Sequence, residues 1–271
     1  MPEIEFQFYL SFTMEQRTEP VTRLILTISL AVILSGCSKE EDPAPIEQPN
    51  VIVYDTIVAP PNMVYDASGN LYSTVVIGDQ LWMRENLRTS HFSNGDPIPY
   101  VPLAADWTAA TSAAWSYYDN DAAYGEIYGK LYNWYTVSDP RNVCPAGWHV
   151  PTDEEWMELE TSLGMIGTEL SLTSSRGVAE NVGGQLKSTL LWDAPNTGAD
   201  NGSGFWGFPT GSRNAGGNFF NLGSHGYWWM ATEVEGNQTH AWQRQLWWNN
   251  AGIYRLANHK GTAGAIRCVQ D

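Results

Sequence analysis

Basic residues are scarce in this chain. It has 14 lysines and arginines against 30 aspartates and glutamates in 271 residues, a formal net charge of −16. So acidic a surface argues against nucleic acid or anionic lipid as partner. Histidine is also sparse. The five (His91, His149, His225, His240 and His259) are scattered, and none accompanies a nucleophile motif, so the usual paired arrangement for covalent catalysis is missing. The apolar run at residues 24–34 spans about eleven residues, too short to cross a bilayer as a helix. No repeat of 20–50 residues is evident, which sets aside solenoids and propellers. Cysteine is limited to Cys37, Cys144 and Cys268, and no His or Cys stands at metal-ligand spacing from the last two.

What the chain does have is aromatic mass. Charged residues make up only 16%, while aromatics reach 13%, with 13 Trp, so this is a folding sequence rather than a disordered one. Its length suits one domain of ordinary size with a substantial core. Acidity is unevenly placed. From residue 201 onward there are three acids (Glu233, Glu235, Asp271), five bases (Arg213, Arg244, Arg255, Lys260, Arg267) and six Trp, among many Asn, Gln and Gly. A near-neutral stretch rich in aromatics and amides suits an uncharged, hydroxyl-rich ligand.

The N-terminal segment indicates where the protein works. Arg17 and Arg23 precede the apolar run, Leu34-Ser35-Gly36-Cys37 closes it, and Ser38-Lys39-Glu40-Glu41-Asp42 follows. The pattern resembles a bacterial lipoprotein signal peptide over residues 1–36, with Cys37 becoming the lipidated first residue. Translation from Met14 would give the same leader. An ordinary signal peptide or an uncleaved anchor is the alternative. The acids after Cys37 resemble the export signal that sends Bacteroidetes lipoproteins to the outer face of the outer membrane; a solvated acidic linker is the other reading. Residues 37–63 form a Pro-rich acidic tether. With Cys37 lipidated, Cys144 and Cys268 are an even pair in an oxidising compartment, for which a disulfide is the default.

Beyond the tether, turn residues at 66–70 and Gly78-Asp79 punctuate strands at 71–77 and 81–83. Residues 93–138 read as long loops with short strands, one over 130–137. The best helix signal begins at Thr152, an N-cap with Glu155 three residues on. Asp153, Glu154 and Glu155 load its first turn, complementing the helix dipole. Trp156, Leu159 and Leu163 share a face, and Gly164 stops it. A second helix at 181–190 is weakened by Gly183-Gly184. Strands are expected at 227–232, 241–248, 252–256 and 265–269. In 241–248, Trp242, Arg244, Leu246 and Trp248 share one face, and Gln243, Gln245 and Trp247 the other.

Several motifs recur together: Gly78-Asp79-Gln80-Leu81-Trp82-Met83-Arg84-Glu85-Asn86-Leu87, Tyr128-Gly129-Lys130-Leu131-Tyr132-Asn133-Trp134, Cys144-Pro145-Ala146-Gly147-Trp148-His149-Val150-Pro151-Thr152, Ser203-Gly204-Phe205, Gly226-Tyr227-Trp228-Trp229-Met230-Ala231-Thr232-Glu233 and Ile266-Arg267-Cys268-Val269. Over residues 64–271 they resemble the Fibrobacter succinogenes major paralogous domain of surface lipoproteins. The resemblance implies an α+β, C-type-lectin-like domain with antiparallel strands, one well-capped helix, long loops and a disulfide from Cys144 to Cys268 in the last strand. It implies no activity. The helix start also resembles formylglycine-generating enzymes, but their extra active-site cysteines are missing.

In sugar-binding C-type lectins, calcium sits between a Glu-Pro-Asn or Gln-Pro-Asp loop and a Trp-Asn-Asp strand. Here Trp248-Asn249-Asn250 and Ala194-Pro195-Asn196 both lack the acid that calcium favours. Asp193, Asp200 and Asn201 are a second candidate set for structural calcium, against ordinary turn capping. No other cofactor is implied. Trp247, beside Asn249 and Asn250 and on a face with Gln243 and Gln245, is the candidate for stacking a sugar ring. Trp242 and Trp248 are expected in the core. Glu233 is the one acid worth testing for function; Glu154, Glu155 and Glu158 suit dipole and solvation roles, and His149 a structural one. The sequence thus points to a non-catalytic surface module binding polysaccharide, or alternatively a protein partner as an adhesin, with an unrecognised hydrolase as a third reading.

Overall fold

The computed structural model describes residues 62–271; Cys37, the leader and nearly all of the tether lie outside the described residues. The chain enters through β1 (Met63–Tyr65), β2 (Leu71–Ile77) and β3 (Gln80–Met83), an antiparallel meander pairing Val64 with Tyr72 and Val75 with Trp82. Long loops then carry α1 (Ala104–Ala109), β4 (Trp115–Ser116), α2 (Ala122–Tyr128), β5 (Leu131–Asn133) and α3 (Trp134–Val137). Next come β6 (Trp148–His149), α4 (Asp153–Ser162), β7 (Ser174–Arg176) and α5 (Val182–Leu186). The C-terminal part is strand-rich: β8 (Thr210–Arg213), β9 (Phe219–Leu222), β10 (His225–Glu233), β11 (His240–Trp247), β12 (Ile253–His259), β13 (Ala263–Gly264) and β14 (Val269–Gln270).

These strands make three sheets, ordered β1-β2-β3-β14-β6, β10-β11-β12-β7 and β4-β5-β13-β8-β9, with every strand pairing antiparallel. The architecture is α+β. The last strand is inserted between β3 and β6, pairing Val269 with both Trp82 and His149. Beside that join the predicted Cys144–Cys268 disulfide is formed, and both cysteines are buried.

The helix at Thr152 forms as its sequence dictates. Thr152 accepts from the Glu155 amide and Glu155 accepts from the Thr152 amide, so two otherwise orphaned donors are satisfied. Trp156 and Leu159 are buried, and Trp156 meets Trp82 edge to face at 5.0 Å and Phe205 at 5.6 Å. Gly164, at φ +108°, takes a conformation that costs other residues strain and ends the run.

Three expectations need correction. The strand expected over 130–137 covers only β5, because the Asn133 side chain accepts from the Thr136 amide and caps α3. The helix expected over 181–190 is the five-residue α5. Its glycines serve close approach: a Cβ on Gly183 would run into the Gly252 carbonyl oxygen, and one on Gly184 into that of Gly198. Of the strand expected over 265–269 only Val269 is in a strand, β14; residues 266–268 lie outside any element, and Ala265 makes an isolated bridge with Trp228.

Candidate functional site

Sheet β10-β11-β12-β7 places the predicted ligand face. Register sets His225 opposite Trp247, Tyr227 opposite Gln245, Trp229 opposite Gln243, and Gln245 opposite Tyr254. All therefore project from one face. That face is covered at one end and open at the other. Gln243 and Gln245 are buried, which corrects their expected place in a ligand surface. β11 is a central strand, and both of its faces are packed. Trp229 donates to the Tyr132 carbonyl of β5, and a Cβ on Gly264 of β13 would meet Gln243 Nε2 at 2.6 Å. Gln243 accepts from Gln245 and from Asn258, while its own Nε2 has no partner.

At the open end stands an aromatic row. Trp247 stacks on Tyr254 with ring centroids 4.0 Å apart and 18° between planes, and His225 meets Trp247 edge-on at 4.8 Å. Trp248 lies 5.3 Å from His225. Trp247 is thus half-buried and engaged rather than a lone exposed indole, and its N–H donates inward to Gln245. Trp242 and Trp248, expected in the core, are also half-buried; the Arg255 guanidinium lies 3.6 Å over the Trp242 ring. Asn249 is exposed, and Asn250 donates to the Tyr254 hydroxyl. Burial holds the His225 imidazole below its ordinary pKa.

The row is fixed from beneath by Lys187. Its fully buried ammonium donates to the carbonyls of Thr197 (2.7 Å), Trp247 (3.1 Å) and Asn250 (3.0 Å). Burial pushes this amine down to about 8. Nothing in the local sequence singled out Lys187.

The other face of the sheet carries a buried ionic chain. Glu160 accepts from Arg176 and Arg244, each at 2.6 Å, and Asp153 accepts from Arg244 at 2.7 Å and Arg255 at 2.5 Å. Asp153 and Glu160 are seven residues apart, two helical turns, so both ends of one α4 face are tied to β7, β11 and β12. Asp153, expected to complement the helix dipole in the first turn of α4, is 3% exposed and also a member of this ionic chain. The signal was available, since Arg244 alternates with Trp242 and Leu246 on an inward face.

The remaining candidates are dispersed. Glu233 is exposed and pairs with Lys260 at 3.0 Å. His149 sits between Glu155 (2.7 Å) and Asp271 (2.6 Å). Burial works against its charged form, but these two carboxylates prevail and raise its pKa. Asp200 accepts from the Gly202 amide and Asn201 from the Trp206 amide, each closing a local turn, while the Asp193 amide donates to the Gly223 carbonyl. Among the described residues, no three His, Cys, Asp or Glu gather as a metal site.

With this geometry in place, comparison with known families is informative. The model of the Fibrobacter succinogenes major domain matches residues 75–270. The chain belongs to that family. No curated protein and no solved structure matches it. The matched span of this Fibrobacter succinogenes major domain runs from β2 to β14 and includes the disulfide, the buried ionic chain and the aromatic row.

Proposed function

We propose that this protein is a non-catalytic binding module, anchored by lipid at Cys37 to the outer membrane and displayed at the cell surface, that takes polysaccharide through the open end of β10-β11-β12. We also read the domain as C-type-lectin-like. A capped helix following Cys144, a disulfide from there to the last strand, and long loops ahead of the late strands support that reading.

The observation that carries the proposal is the aromatic row of His225, Trp247 and Tyr254, with Trp248, Asn249 and Asn250 at its margin. Sugar rings present apolar C–H faces to aromatic rings, and amides complement their hydroxyls. Such a surface binds one sugar unit weakly, on the order of millimolar or about −4 kcal/mol. Many copies anchored on one membrane would add avidity. Lack of catalysis is supported by the occupation of the acids and His149. Asp153 and Glu160 are consumed by three guanidinium groups, Glu155 by the helix cap, and His149 by two carboxylates.

A glycan array probed with the full chain tests the proposal. Retention of at least one polysaccharide class is expected, and it should fall strongly in Trp247→Ala and Trp248→Ala without a matching loss of folding. No retention by the wild-type chain would overturn it. Capture of an envelope protein that survives competition by soluble sugars would point instead to an adhesin.

A further inference from the structure

Among the described residues, seven of the eleven lysines and arginines are buried: Lys130, Arg176, Lys187, Arg213, Arg244, Lys260 and Arg267. Six of these have an evident acceptor. Arg176 and Arg244 have carboxylates, Lys260 has Glu233, and Lys187 has three carbonyls. Arg213 donates to the carbonyls of Val101, Pro102 and Gly217, and Arg267 to the Asn86 side chain. Lys130 is the exception. It is 8% exposed, yet its Nζ makes no hydrogen bond or ion pair with the described residues. It rests 3.8 Å over the Trp115 ring and 5.8 Å from Tyr117.

The Lys130 side chain is buried while its ammonium opens on a pocket, and a largely desolvated ammonium without a protein acceptor favours a ligand that supplies one. Lys130 lines a cavity of about 230 Å³ together with Ser68, Ser90, Arg88, Tyr117 and Glu126. Arg88 is also incompletely satisfied: Nη1 reaches Glu126 and Nη2 the Leu71 carbonyl, while the buried Nε has no partner. The nearby acids Asp66 and Glu126 favour the charged form of Lys130 at a distance but neither bonds its Nζ. Asp66 is occupied by the Tyr72 hydroxyl, the Asn70 side chain and two backbone amides, and Glu126 is an exposed partner of Arg88. Burial pushes the Lys130 amine down to about 8, so it remains largely protonated at neutral pH.

We propose that this cavity, formed by the β1–β2 turn, the segment after β3, α2 and the residue just before β5, binds a carboxylate-bearing ligand of monosaccharide size, an acidic sugar unit of the uronate type. Its carboxylate takes the free Lys130 ammonium, with Arg88 adding charge; Ser68 and Ser90 face its hydroxyls, and Tyr117 its ring. The cavity is smaller than the roughly 300 Å³ at which drug-sized sites begin, which suits one sugar unit. A second cavity of about 220 Å³ shares Arg88 and Glu126 as its wall, giving an adjoining unit somewhere to lie. The proposal does not rest on the aromatic row, which is built from other strands.

Calorimetric titration of the full chain with sodium glucuronate tests it, with glucose and sodium acetate as comparison probes. Saturable binding of glucuronate is expected, at least tenfold tighter than glucose, weakened at least tenfold by Lys130→Met and unchanged by Glu235→Gln, which alters an exposed acid outside the cavity. In the wild-type chain, acetylation of Lys130 near pH 8, read by mass spectrometry, should be slowed by glucuronate and not by glucose; this arm holds even where Lys130→Met fails to fold. The proposal is overturned by absence of saturable glucuronate binding, by equal affinity for glucose, or by a folded Lys130→Met that binds normally. Acetate equalling glucuronate would overturn the sugar assignment and leave a simple carboxylate site.

Discussion

The guanidinium of Arg244 lies 2.6 Å from the carboxylate of Glu160, and solvent reaches neither side chain. The pair is the second of four links in an alternating series, Arg176–Glu160–Arg244–Asp153–Arg255, that joins one helix to three strands. Removing one member of a buried pair leaves an uncompensated charge, and that residue, rather than the lost attraction, dominates the cost.

The order of the series predicts unequal effects. Glu160→Leu leaves Arg176 without a carboxylate and Arg244 with Asp153 alone, and should cost about 3–5 kcal/mol or abolish folding. Arg244→Met leaves Glu160 with Arg176 and Asp153 with Arg255, so it should cost clearly less. Urea denaturation of both variants reads the difference. Equal losses would mean that the two ends of the series do not compensate.

Stability should peak in mildly acidic solution, for two reasons of opposite sign. Burial works to raise the Asp153 pKa, but hydrogen bonds and charge from Arg255 and Arg244 prevail and hold it below the ordinary carboxylate value. The stabilisation is therefore complete above pH about 4 and lost as pH falls through the folded value. His149 runs the other way. Its raised folded pKa gives a contribution present below about 6.5 and lost as pH rises through the folded value. Urea midpoints measured against pH should show both limbs, with Asp153→Asn flattening the acid one and His149→Gln the neutral-to-alkaline one.

Much of this fold was legible in the sequence because it obeys local rules. The Thr152–Glu155 capping box, the Gly164 stop, and the strands at β2, β3 and β11 follow from capping chemistry and periodicity. The disulfide followed from compartment and parity. Gln243 and Gln245 were misread because a period-2 pattern tells which residues share a face, not whether a second sheet covers it. Polar side chains in a two-sided core look like a wet face in sequence. Gly183 and Gly184 read only as a weakness of the helix, because the partners that require them, the carbonyls of Gly252 and Gly198, are distant in sequence or in separate loops. Lys187 and Lys130 carry no local signal at all: their roles arise from tertiary packing. The near-neutral surface expected after residue 201 is also altered, since Arg213, Arg244, Lys260 and Arg267 are buried while Glu233, Glu235 and Asp271 are exposed.

Lys187 couples stability to the aromatic row. Lys187→Met would leave the carbonyls of Thr197, Trp247 and Asn250 without their shared donor. Lost bonds to a charged group and buried orphan acceptors should together cost about 2–4 kcal/mol. The same change frees the segment that carries Trp247 and Asn250, so glycan retention should fall further than in an equally destabilised variant elsewhere. A thermal melt and the glycan array on the same preparations make that comparison. Proportionate losses would place Lys187 in the core alone.

The disulfide should contribute more than its short strands suggest. β14 has only two residues, and its ladder with β6 and β3 supplies little enthalpy of its own, yet it closes the sheet that holds both chain ends of the domain. Cys144 and Cys268 are 124 residues apart, so the bond removes a large loop's freedom from the unfolded ensemble. In the chain-entropy model this is worth about 4–5 kcal/mol, or roughly 8–20 °C in Tm for a domain of this size. Reduction of the wild-type chain under denaturing conditions, followed by refolding with the thiols blocked, should lower Tm by that range. A shift of only one or two degrees would mean that β14 is held chiefly by the packing of Ile266 and Val269, both buried, and that the unfolded chain already keeps the two cysteines close.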